Sequence, residues 1–425
     1  MAEVKAAVLG AGDCAFVPGL LRDVIVEQRL DGLELALMDP SADRLEAMAG
    51  VGRRMARQSG ARIRISTHAG RESALEGADF VFCAGEADDG GRFEKDRRLI
   101  GQHDPGHRVS ELGGVAGMSC SLRQIARVQG IAADMRRLCP NAWLFMLAQP
   151  LSRVCQAAHE EGIRTVGFCS QSLGAFSLAW QLLEGGELRY PFMPARSAMD
   201  LSVAGVDGCA WLVECRDART GRDLYPGLRK AARERPLTLH PLAQRLLDQT
   251  GFLPVSGEQR LGDLLSSAGG TAGQPPRRQD RLELLRRVAE ENADWAELME
   301  PPVWERPADL LTCMLRDQTC RFHTLNLINR AQISSLPQNV FVETPAVGTR
   351  VGPLGMKVDL PAQLAEICGR AAALTDALVR AARQRSRSLL AEAVELDPTI
   401  VDKKLGAAAL AACMEVHRDV LPEYR

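Results

Sequence analysis

This 425-residue chain lacks an excess of charge of one sign, a long apolar run and closely spaced cysteine pairs, and each absence excludes a class of protein. Neither sign of charge dominates: 52 Lys and Arg residues stand against 54 Asp and Glu residues, so nothing attracts the chain to nucleic acid or to an anionic membrane. No apolar run reaches transmembrane length. The 12 cysteines are scattered and none has C-x-x-C spacing, which argues against a structural zinc site. Because the first residues lead directly into a strand-like run, we expect a cytoplasmic protein with free thiols.

The residues that are present predict an α/β protein. Hydrophobic residues make up 46% of the chain, as in ordinary globular proteins, and 425 residues suit two packed domains. Short apolar runs alternate with helical patterns such as 18–28 and 42–58, which favours a parallel sheet with helices on both faces. We therefore expect a first domain over residues 1–170. Its strand candidates are Lys5–Leu9, Leu33–Met38, Arg62–Ser66, Asp79–Ala84, Ala142–Leu147 and Arg164–Cys169.

The pattern changes after about residue 170. Helical segments dominate, with an antiparallel element expected around Val203–Glu214 and a surface loop over 266–276. The stretch 361–385 carries an apolar stripe at helical spacing, which predicts a long amphipathic helix packed on the body or on another subunit. Residues 171–425 are thus expected to form a mixed, mainly helical domain for substrate binding and oligomerisation.

A glycine-rich turn follows the first predicted strand and opens a helix. Gly10, Gly12 and Ala15 fit G-x-G-x-x-G/A, the turn that lets a pyrophosphate approach the backbone at a helix N-terminus. Asp39 ends the second strand, where an acid binds the adenosine ribose and repels a 2′-phosphate. The turn therefore predicts a Rossmann domain that binds NAD rather than NADP. Cys14, inside the motif, and Gly85, after the fourth strand, are expected to line the same cofactor.

Many short segments of the chain, in order, resemble the NAD-dependent family 4 glycoside hydrolases, especially their α-galactosidase, α-glucosidase and α-glucuronidase branch. The resemblance implies a Rossmann domain followed by a C-terminal domain of lactate/malate dehydrogenase type. It also implies that Phe16 and Gln149 contact NAD. The matching segments are Gly10–Gly12 with Phe16, Leu75–Val81, Gly114–Gly117 with Leu122 and Arg123, Leu138–Trp143, Gly167–Cys169, Asn326–Asn329, Ser335–Pro337, Val342–Glu343, Asp359–Pro361 and Leu396–Pro398.

The resemblance further implies a redox route to hydrolysis, an exception to the usual pair of carboxylates. In that family NAD takes a hydride from C3 of the sugar, a base removes the acidified C2 proton, the aglycone is eliminated, water adds and the hydride returns. A divalent metal, usually manganese, stabilises the negative charge of the enediolate.

The metal motif is where this sequence departs from the family. Cys169 matches the metal-binding cysteine, but Gly208 stands in place of the histidine ligand and Asp207 in place of the asparagine before it. Ser170 and Gln149 replace two further polar residues, and the histidine of the acidic signature is absent from the aligned segment Ser256–Arg260. We therefore expect little bound manganese, with Arg123 or a protonated His103 as the candidate for a compensating cation.

Each site candidate has a structural alternative. Cys169, Glu111 and Asp207 are the catalytic candidates, with Cys169 also a metal ligand. The alternatives are a buried thiol, a solvated loop carboxylate and a turn or cap aspartate. Arg123 and Arg306 are candidates for binding a substrate anion, because guanidinium suits carboxylate and phosphate, and the alternative is a structural ion pair. His103 and His107 in the substrate loop, and His323, are more simply structural histidines.

The preferred function is a diverged, NAD-dependent glycosidase that acts on a small glycoside or sugar derivative. The alternatives are an NAD-dependent oxidoreductase on a sugar derivative, and a non-catalytic NAD-binding partner of an active paralogue. We expect a homodimer or homotetramer, on the resemblance and on the apolar stripe at 361–385.

Overall fold

The first half of the chain forms a parallel sheet in the order expected of a Rossmann domain. A computed structural model describes residues 4–85, 90–104, 106–107, 109–169, 171–186, 198–235, 239–265, 281–299 and 306–425. Six parallel strands lie in the order β3-β2-β1-β4-β5-β6, which confirms the predicted fold class. They are β1 (Val4–Leu9), β2 (Leu33–Met38), β3 (Arg64–His68), β4 (Phe80–Cys83), β5 (Trp143–Met146) and β6 (Arg164–Gly167).

One of the predicted strands is displaced. The sequence placed the third strand at Arg62–Ser66, whereas β3 begins at Arg64. The Arg62 N–H donates to Asp31 Oδ1 at 2.9 Å and the Arg62 carbonyl accepts from Gly32 N. These contacts hold Arg62, which lies just before β3, against the connection that precedes β2.

Helices cover this sheet and begin and end for recognisable reasons. The second helix, Ala42–Ser59, is capped at its N-terminus by Ser41, whose hydroxyl accepts from Arg44 N. It is capped at its C-terminus by Gly60 in the left-handed conformation (φ +67°). The first continues past Arg22 as a π-helical turn, Asp23–Glu27. The helices are α1 (Val17–Arg22), α2 (Ala42–Ser59), α3 (Arg71–Leu75), α4 (Arg92–His103), α5 (Gly114–Leu138) and α6 (Leu151–Glu160).

The second half extends the same sheet with antiparallel strands, so that β6 is followed by β10, β11, β7, β8 and β9, with β12 paired to β11. The predicted antiparallel element is the hairpin β7–β8, closed by the two residues Asp207 and Gly208. The sequence did not predict strands β10–β12. These strands are β7 (Met199–Val206), β8 (Cys209–Asp217), β9 (Leu253–Pro254), β10 (Cys320–Ile328), β11 (Phe341–Thr349) and β12 (Gly352–Gly355).

The helices of the second half make it a mixed domain, and they pack on both the antiparallel extension and the helices of the first half. They are α7 (Gln171–Glu184), α8 (Tyr225–Glu234), α9 (Pro241–Thr250), α10 (Glu258–Leu265), α11 (Leu282–Ala289), α12 (Pro307–Arg316), α13 (Ala362–Gln384), α14 (Arg387–Leu396) and α15 (Lys403–Val416). No helix within the described ranges is long and apolar enough to cross a bilayer. The loop predicted over 266–276 lies outside the described residues.

The predicted amphipathic helix is α13, and its apolar stripe is covered by the chain itself. Leu364 packs in a cluster with Trp211 of β8, while Leu374 and Leu378 pack with Leu122 of α5. The inference that this stripe needs a second subunit is therefore wrong. A homo-oligomer stays a prediction that rests on the resemblance alone.

Candidate functional site

The glycine-rich turn lies at the carboxyl end of β1, against the neighbouring strands. The N–H groups of Gly10 and Ala11 donate to the Met38 carbonyl at 3.0 and 2.9 Å. Gly10 has φ +79°, and a Cβ there would lie 2.7 Å from the Gly85 carbonyl oxygen. Glycine is therefore required at position 10, where the loops after β1 and β4 approach each other.

Gly12 and Asp39 form the next part of this turn. Asp39 is buried, and its Oδ2 accepts the Gly12 N–H at 2.8 Å while Oδ1 accepts from Ser41 N. A Cβ on Gly12 would lie 2.7 Å from Asp39 Oδ2 and 2.8 Å from the Cβ of Arg44. A side chain at position 12 would thus occupy the cradle and displace the acid, so the turn fits a dinucleotide whose ribose meets a carboxylate.

The other predicted cofactor residues lie around this turn. Cys14 is buried and directs its thiol at the Gly12 carbonyl, while Ala15 is exposed and Phe16 half-buried. Gln149 follows β5, and its Oε1 accepts from Leu151 N at 3.2 Å. Glu86, which the sequence placed beside Gly85, and Ser170 lie outside the described residues.

A row of paired residues crosses the sheet where its parallel and antiparallel parts meet. Gly167 of β6 pairs with Asn326 of β10, which pairs with Glu343 of β11, which in turn pairs with Gly205 of β7. A Cβ on Gly167 would lie 2.8 Å from Asn326 Cβ, so the Asn326 side chain fits here only because residue 167 is a glycine. Asn326 Nδ2 donates to Glu343 Oε1 at 2.5 Å.

Three ligand-type side chains converge beside this row: the Cys169 thiol, the Asp207 carboxylate and the Glu343 carboxylate, with one donor atom of each within 4.8 Å of the others. Cys169 follows β6, Asp207 forms the β7–β8 turn and Glu343 lies in β11. Four neighbouring strands thus bring together the two carboxylates and the thiol. We call Cys169, Asp207 and Glu343 the central cluster.

Asp207 is held on both sides. Its Oδ2 accepts from Leu151 N at 3.0 Å, which caps the N-terminus of α6, and its Oδ1 accepts from Arg260 Nη1 at 3.0 Å. A turn or cap aspartate was the structural alternative expected for this residue. Asp207 lies in the β7–β8 turn and also caps α6.

Glu343 is fully buried and also held by two donors. Thr324 Oγ1 donates to Oε2 at 2.7 Å, and Asn326 donates to Oε1. Burial, with the nearby charge of Asp207 adding to it, raises the pKa of Glu343 to about 8. The carboxyl group is therefore mostly protonated at neutral pH.

Arg260, at the start of α10, supplies the cation of this site. Burial lowers the pKa of Arg260, but the charges of Asp207, Cys169 and Glu111 outweigh it and raise the pKa above its ordinary value. In the sequence analysis, Arg260 appeared only as the residue aligned with a histidine that the family has and this chain lacks. Its signal was present all the same: a fixed positive charge where the family has a titratable side chain.

These residues do not fit a divalent metal. Both oxygens of Asp207 already accept hydrogen bonds, from Leu151 N and Arg260, and the Arg260 guanidinium repels a second cation beside it. Manganese prefers several free oxygen or nitrogen ligands. The expected scarcity of bound manganese thus has a structural reason and stays a prediction.

Gly208 shows that the missing histidine is not a simple loss. The residue has φ +78°, and a Cβ there would lie 2.5 Å from Leu112 Cδ2 and 3.0 Å from Leu264 Cδ1. Two leucines fill the space where any side chain at position 208 would begin.

The predicted substrate arginines are engaged by carboxylates of the chain itself. Buried Arg123 donates to Asp96 Oδ2 at 2.6 Å, in a network that includes His417. Arg306 donates to Glu27 at 2.9 Å and Asp309 at 3.0 Å. For both, the structure favours the structural ion pair over the substrate role.

The remaining candidates fall into two groups. The partly buried Glu111 is close enough to Arg260 for its charge to act on the guanidinium, and it accepts no hydrogen bond from the described part of the chain. The histidines are structural or peripheral. His107 Nε2 accepts from Val115 N at 3.2 Å, His323 packs edge-on against Phe176, and His103 is exposed at the end of α4.

The fold and site define a dinucleotide-binding α/β protein with a buried carboxylate–thiol cluster, and comparison with known proteins gives the family. The family 4 glycosyl hydrolase model matches residues 5–184, and the model of that family's C-terminal domain matches residues 203–400. The chain therefore belongs to family 4 of the glycosyl hydrolases, which confirms the resemblance found in the sequence.

Two curated relatives match almost the whole chain. The α-glucosidase of Erwinia rhapontici is 24% identical over 439 residues, covering 92% of this chain and 93% of the relative. The α-galactosidase of Bacillus subtilis (strain 168) is 24% identical over 446 residues, covering 99% and 100%.

Solved structures share the fold at low identity. A Thermotoga maritima 6-phospho-β-glucosidase with NAD and glucose 6-phosphate has a TM-score of 0.81 at 16% identity, covering 99% and 100% of the two chains. A 6-phospho-α-glucosidase from gut microorganisms, in complex with NAD and Mn²⁺, has a TM-score of 0.78 at 19% identity, and the match covers 100% of both chains. Malate dehydrogenase of Plasmodium falciparum has a TM-score of 0.53 at 13% identity, and the match covers 89% of this chain and 98% of the dehydrogenase.

Proposed function

We propose that this chain is an NAD-dependent glycosidase that cleaves a small glycoside by oxidation at C3 and elimination across C1 and C2. The observation that carries the proposal is one shared sheet edge. The Gly10–Gly12 turn follows β1, and Cys169 of the central cluster follows β6, at the carboxyl ends of parallel strands. Ligands of open α/β sheets bind at this edge.

The cradle at Gly12 and Asp39 would hold the adenosine half of NAD. Asp39 is already positioned by the Gly12 and Ser41 N–H groups, so it can accept ribose hydroxyls without reorganising. Its negative charge opposes the 2′-phosphate of NADP. When bound, NAD supplies the hydride acceptor for C3 of the sugar, which acidifies the proton on C2.

Glu111 is the best-placed general base among the predicted catalytic residues. Both oxygens of Asp207 accept hydrogen bonds from Leu151 N and Arg260, whereas Glu111 is partly exposed and lies near the same guanidinium. Its carboxylate would take the C2 proton, and the C–H electron pair would move onto the C3 oxygen as an enolate. That pair then expels the aglycone from C1, water adds at C1, a proton returns to C2, and return of the hydride to C3 restores the sugar.

Asp207 and Cys169 would act at the same centre in other ways. Asp207 fixes the guanidinium of Arg260 and the first turn of α6. The half-buried Cys169 thiol shares the centre with that pair and is a candidate for contact with the sugar hydroxyls.

The substrate class is proposed from the relatives' names. An α-glucosidase and an α-galactosidase match across the chain, and two structures of similar fold contain glucose 6-phosphate. Both 4-nitrophenyl α-glycosides and their 6-phosphates therefore belong in a substrate panel, although we expect weak or no activity on the unphosphorylated ones.

The test is release of nitrophenol from this panel with NAD, with NADP and without nucleotide. NAD-dependent release from at least one glycoside supports the proposal, and Gly12→Val, which fills the cradle, should abolish it. Steady accumulation of NADH without release would instead indicate the oxidoreductase alternative. NAD binding without either reaction would favour a non-catalytic partner.

A further inference from the structure

The ion pair with Arg260 engages the carboxylate of Asp207, the residue that could otherwise replace the missing histidine as a metal ligand. Arg260 Nη1 lies 3.0 Å from Asp207 Oδ1, and Asp207 cannot swing away, because its other oxygen caps α6 through Leu151 N. Arg260 is anchored by α10, whose Leu261 and Leu264 are buried in the core. The pair therefore joins two rigid elements at the central cluster.

We propose that the Arg260 guanidinium is the resident cation of this site and stabilises the negative charge that forms on the C3 oxygen of the substrate. This inference rests on the proposed glycosidase function for its catalytic part. In this chain a fixed side-chain charge does what a bound divalent ion would otherwise do, and the enzyme works without a metal.

The chemistry of guanidinium suits the task. It carries a permanent charge and five donors in a planar fork, of which one holds Asp207. About a third of the Arg260 side chain, 33%, is open to solvent, whereas 2% of the Asp207 side chain is. Donors aimed at an oxygen where charge develops lower the barrier by electrostatic stabilisation, and the ion pair fixes their direction beforehand.

The surroundings contain the changes that such a replacement requires. Leu112 and Leu264 fill the space at Gly208, whose φ of +78° also disfavours a side chain, so a histidine at position 208 would have to displace both leucines. The carboxylates of Asp207 and Glu111 both act on Arg260, so the guanidinium offsets one of these negative charges without a bound ion. The sequence analysis offered Arg123 or His103 as the compensating cation. Arg123 is paired with Asp96, and His103 is exposed.

The first test measures metal binding and needs no substrate. Mn²⁺ is titrated into the full chain, with and without NAD, and free Mn²⁺ is followed by electron paramagnetic resonance. We expect no stoichiometric binding to the wild type or to Arg216→Ala, a control that removes an exposed arginine paired with Glu214 on β8. Arg260→Ala and Arg260→His should each gain one site, because Asp207 is freed and the repelling charge is gone. Adding Asp207→Asn to Arg260→His should abolish the gain.

Stoichiometric Mn²⁺ on the wild type, or no gain in either Arg260 variant, would overturn the inference. Thermal unfolding of each variant shows whether it is folded. If Arg260→Ala unfolds, Arg260→His carries the test, because it keeps a side chain of intermediate size at a position that is one-third exposed.

The second test measures turnover of whichever panel glycoside is cleaved, after treatment with chelator. The wild type should keep its kcat, and Arg260→Ala should lose about 10²- to 10³-fold, the usual effect of removing a donor to a developing oxyanion. Arg260→Lys should lose less, because the charge remains without the fork. Loss of wild-type activity with chelator would overturn the inference and leave the glycosidase proposal intact. If no glycoside is cleaved, the proposed function fails, while the Mn²⁺ titration still decides whether Arg260 excludes the metal.

Discussion

Replacing Gly12 by alanine should weaken NAD binding by a calculable amount. The added methyl would lie 2.7 Å from Asp39 Oδ2 and 2.8 Å from Arg44 Cβ, closer than carbon atoms pack, and the carboxylate must move. The displaced acid loses its hydrogen bonds to the cofactor ribose. A hydrogen bond to a charged group contributes about 1.5–3 kcal/mol, and each 1.4 kcal/mol is about tenfold in affinity. We therefore expect NAD to bind about 10- to 100-fold more weakly.

Calorimetric titration with NAD measures this change directly. Gly369→Ala is the matched control, because Gly369 lies in α13 with nothing within 4 Å of the added methyl. It should bind NAD as the wild type does. Unchanged NAD affinity in folded Gly12→Ala would refute the placement of the cofactor in this cradle.

Three further variants test the roles assigned here. Arg123→Met removes the guanidinium from buried Asp96, which keeps Ser119 and His417 as partners, and should cost at most about 3–5 kcal/mol in the free energy of unfolding, measured with denaturant, while NAD still binds. Equal stability would contradict the structural role. The pKa of Glu343 is raised from its ordinary value of 4.5 to about 8 in the folded protein, so the wild type should lose stability as pH rises across that interval. Glu343→Gln should show a smaller slope in pH-dependent thermal unfolding, and parallel curves would count against the raised pKa. Gly208→His should not create an Mn²⁺ site and should lower the melting temperature, because its Cβ meets Leu112. Mn²⁺ binding by that variant would show that the turn can still open.

The parallel half of the fold could be predicted because local patterns decide it. Buried strands β1 and β2 are short apolar runs, and the glycine-rich turn between β1 and α1 has a fixed spacing. Among the six predicted parallel strands, only β3 starts two residues later than expected, and there the Arg62 backbone N–H bonds to Asp31 Oδ1 just before the strand.

The antiparallel extension was harder to predict because long-range pairing decides it. An antiparallel element was expected around Val203–Glu214, and the Asp207-Gly208 pair that closes β7 and β8 is a strong local hairpin signal. Strand β10 carries the polar Asn326 where the neighbouring Gly167 leaves room for it, and β11 carries the buried Glu343 beside Asn326.

The candidate site could be predicted in part for the same reason. Cys169 and Asp207 follow or join strands, so their convergence follows from strand order once the fold is known. Glu343 was noted only as part of a family motif, and its burial beside Asp207 depends on the pairing of β11. Arg260 lies on a helix far along the chain, and only the folded structure shows that its charge faces Asp207.

The central claim is that this chain cleaves a glycoside by NAD-dependent redox chemistry at C2 and C3. The most direct measurement is turnover of the nitrophenyl glycoside panel in deuterium oxide with NAD and chelator, followed by NMR of the released sugar. We predict deuterium at C2 of the product, because a base removes that proton before the aglycone leaves. Release of a sugar that keeps its original hydrogen at C2, or release that proceeds equally without NAD, would contradict the account.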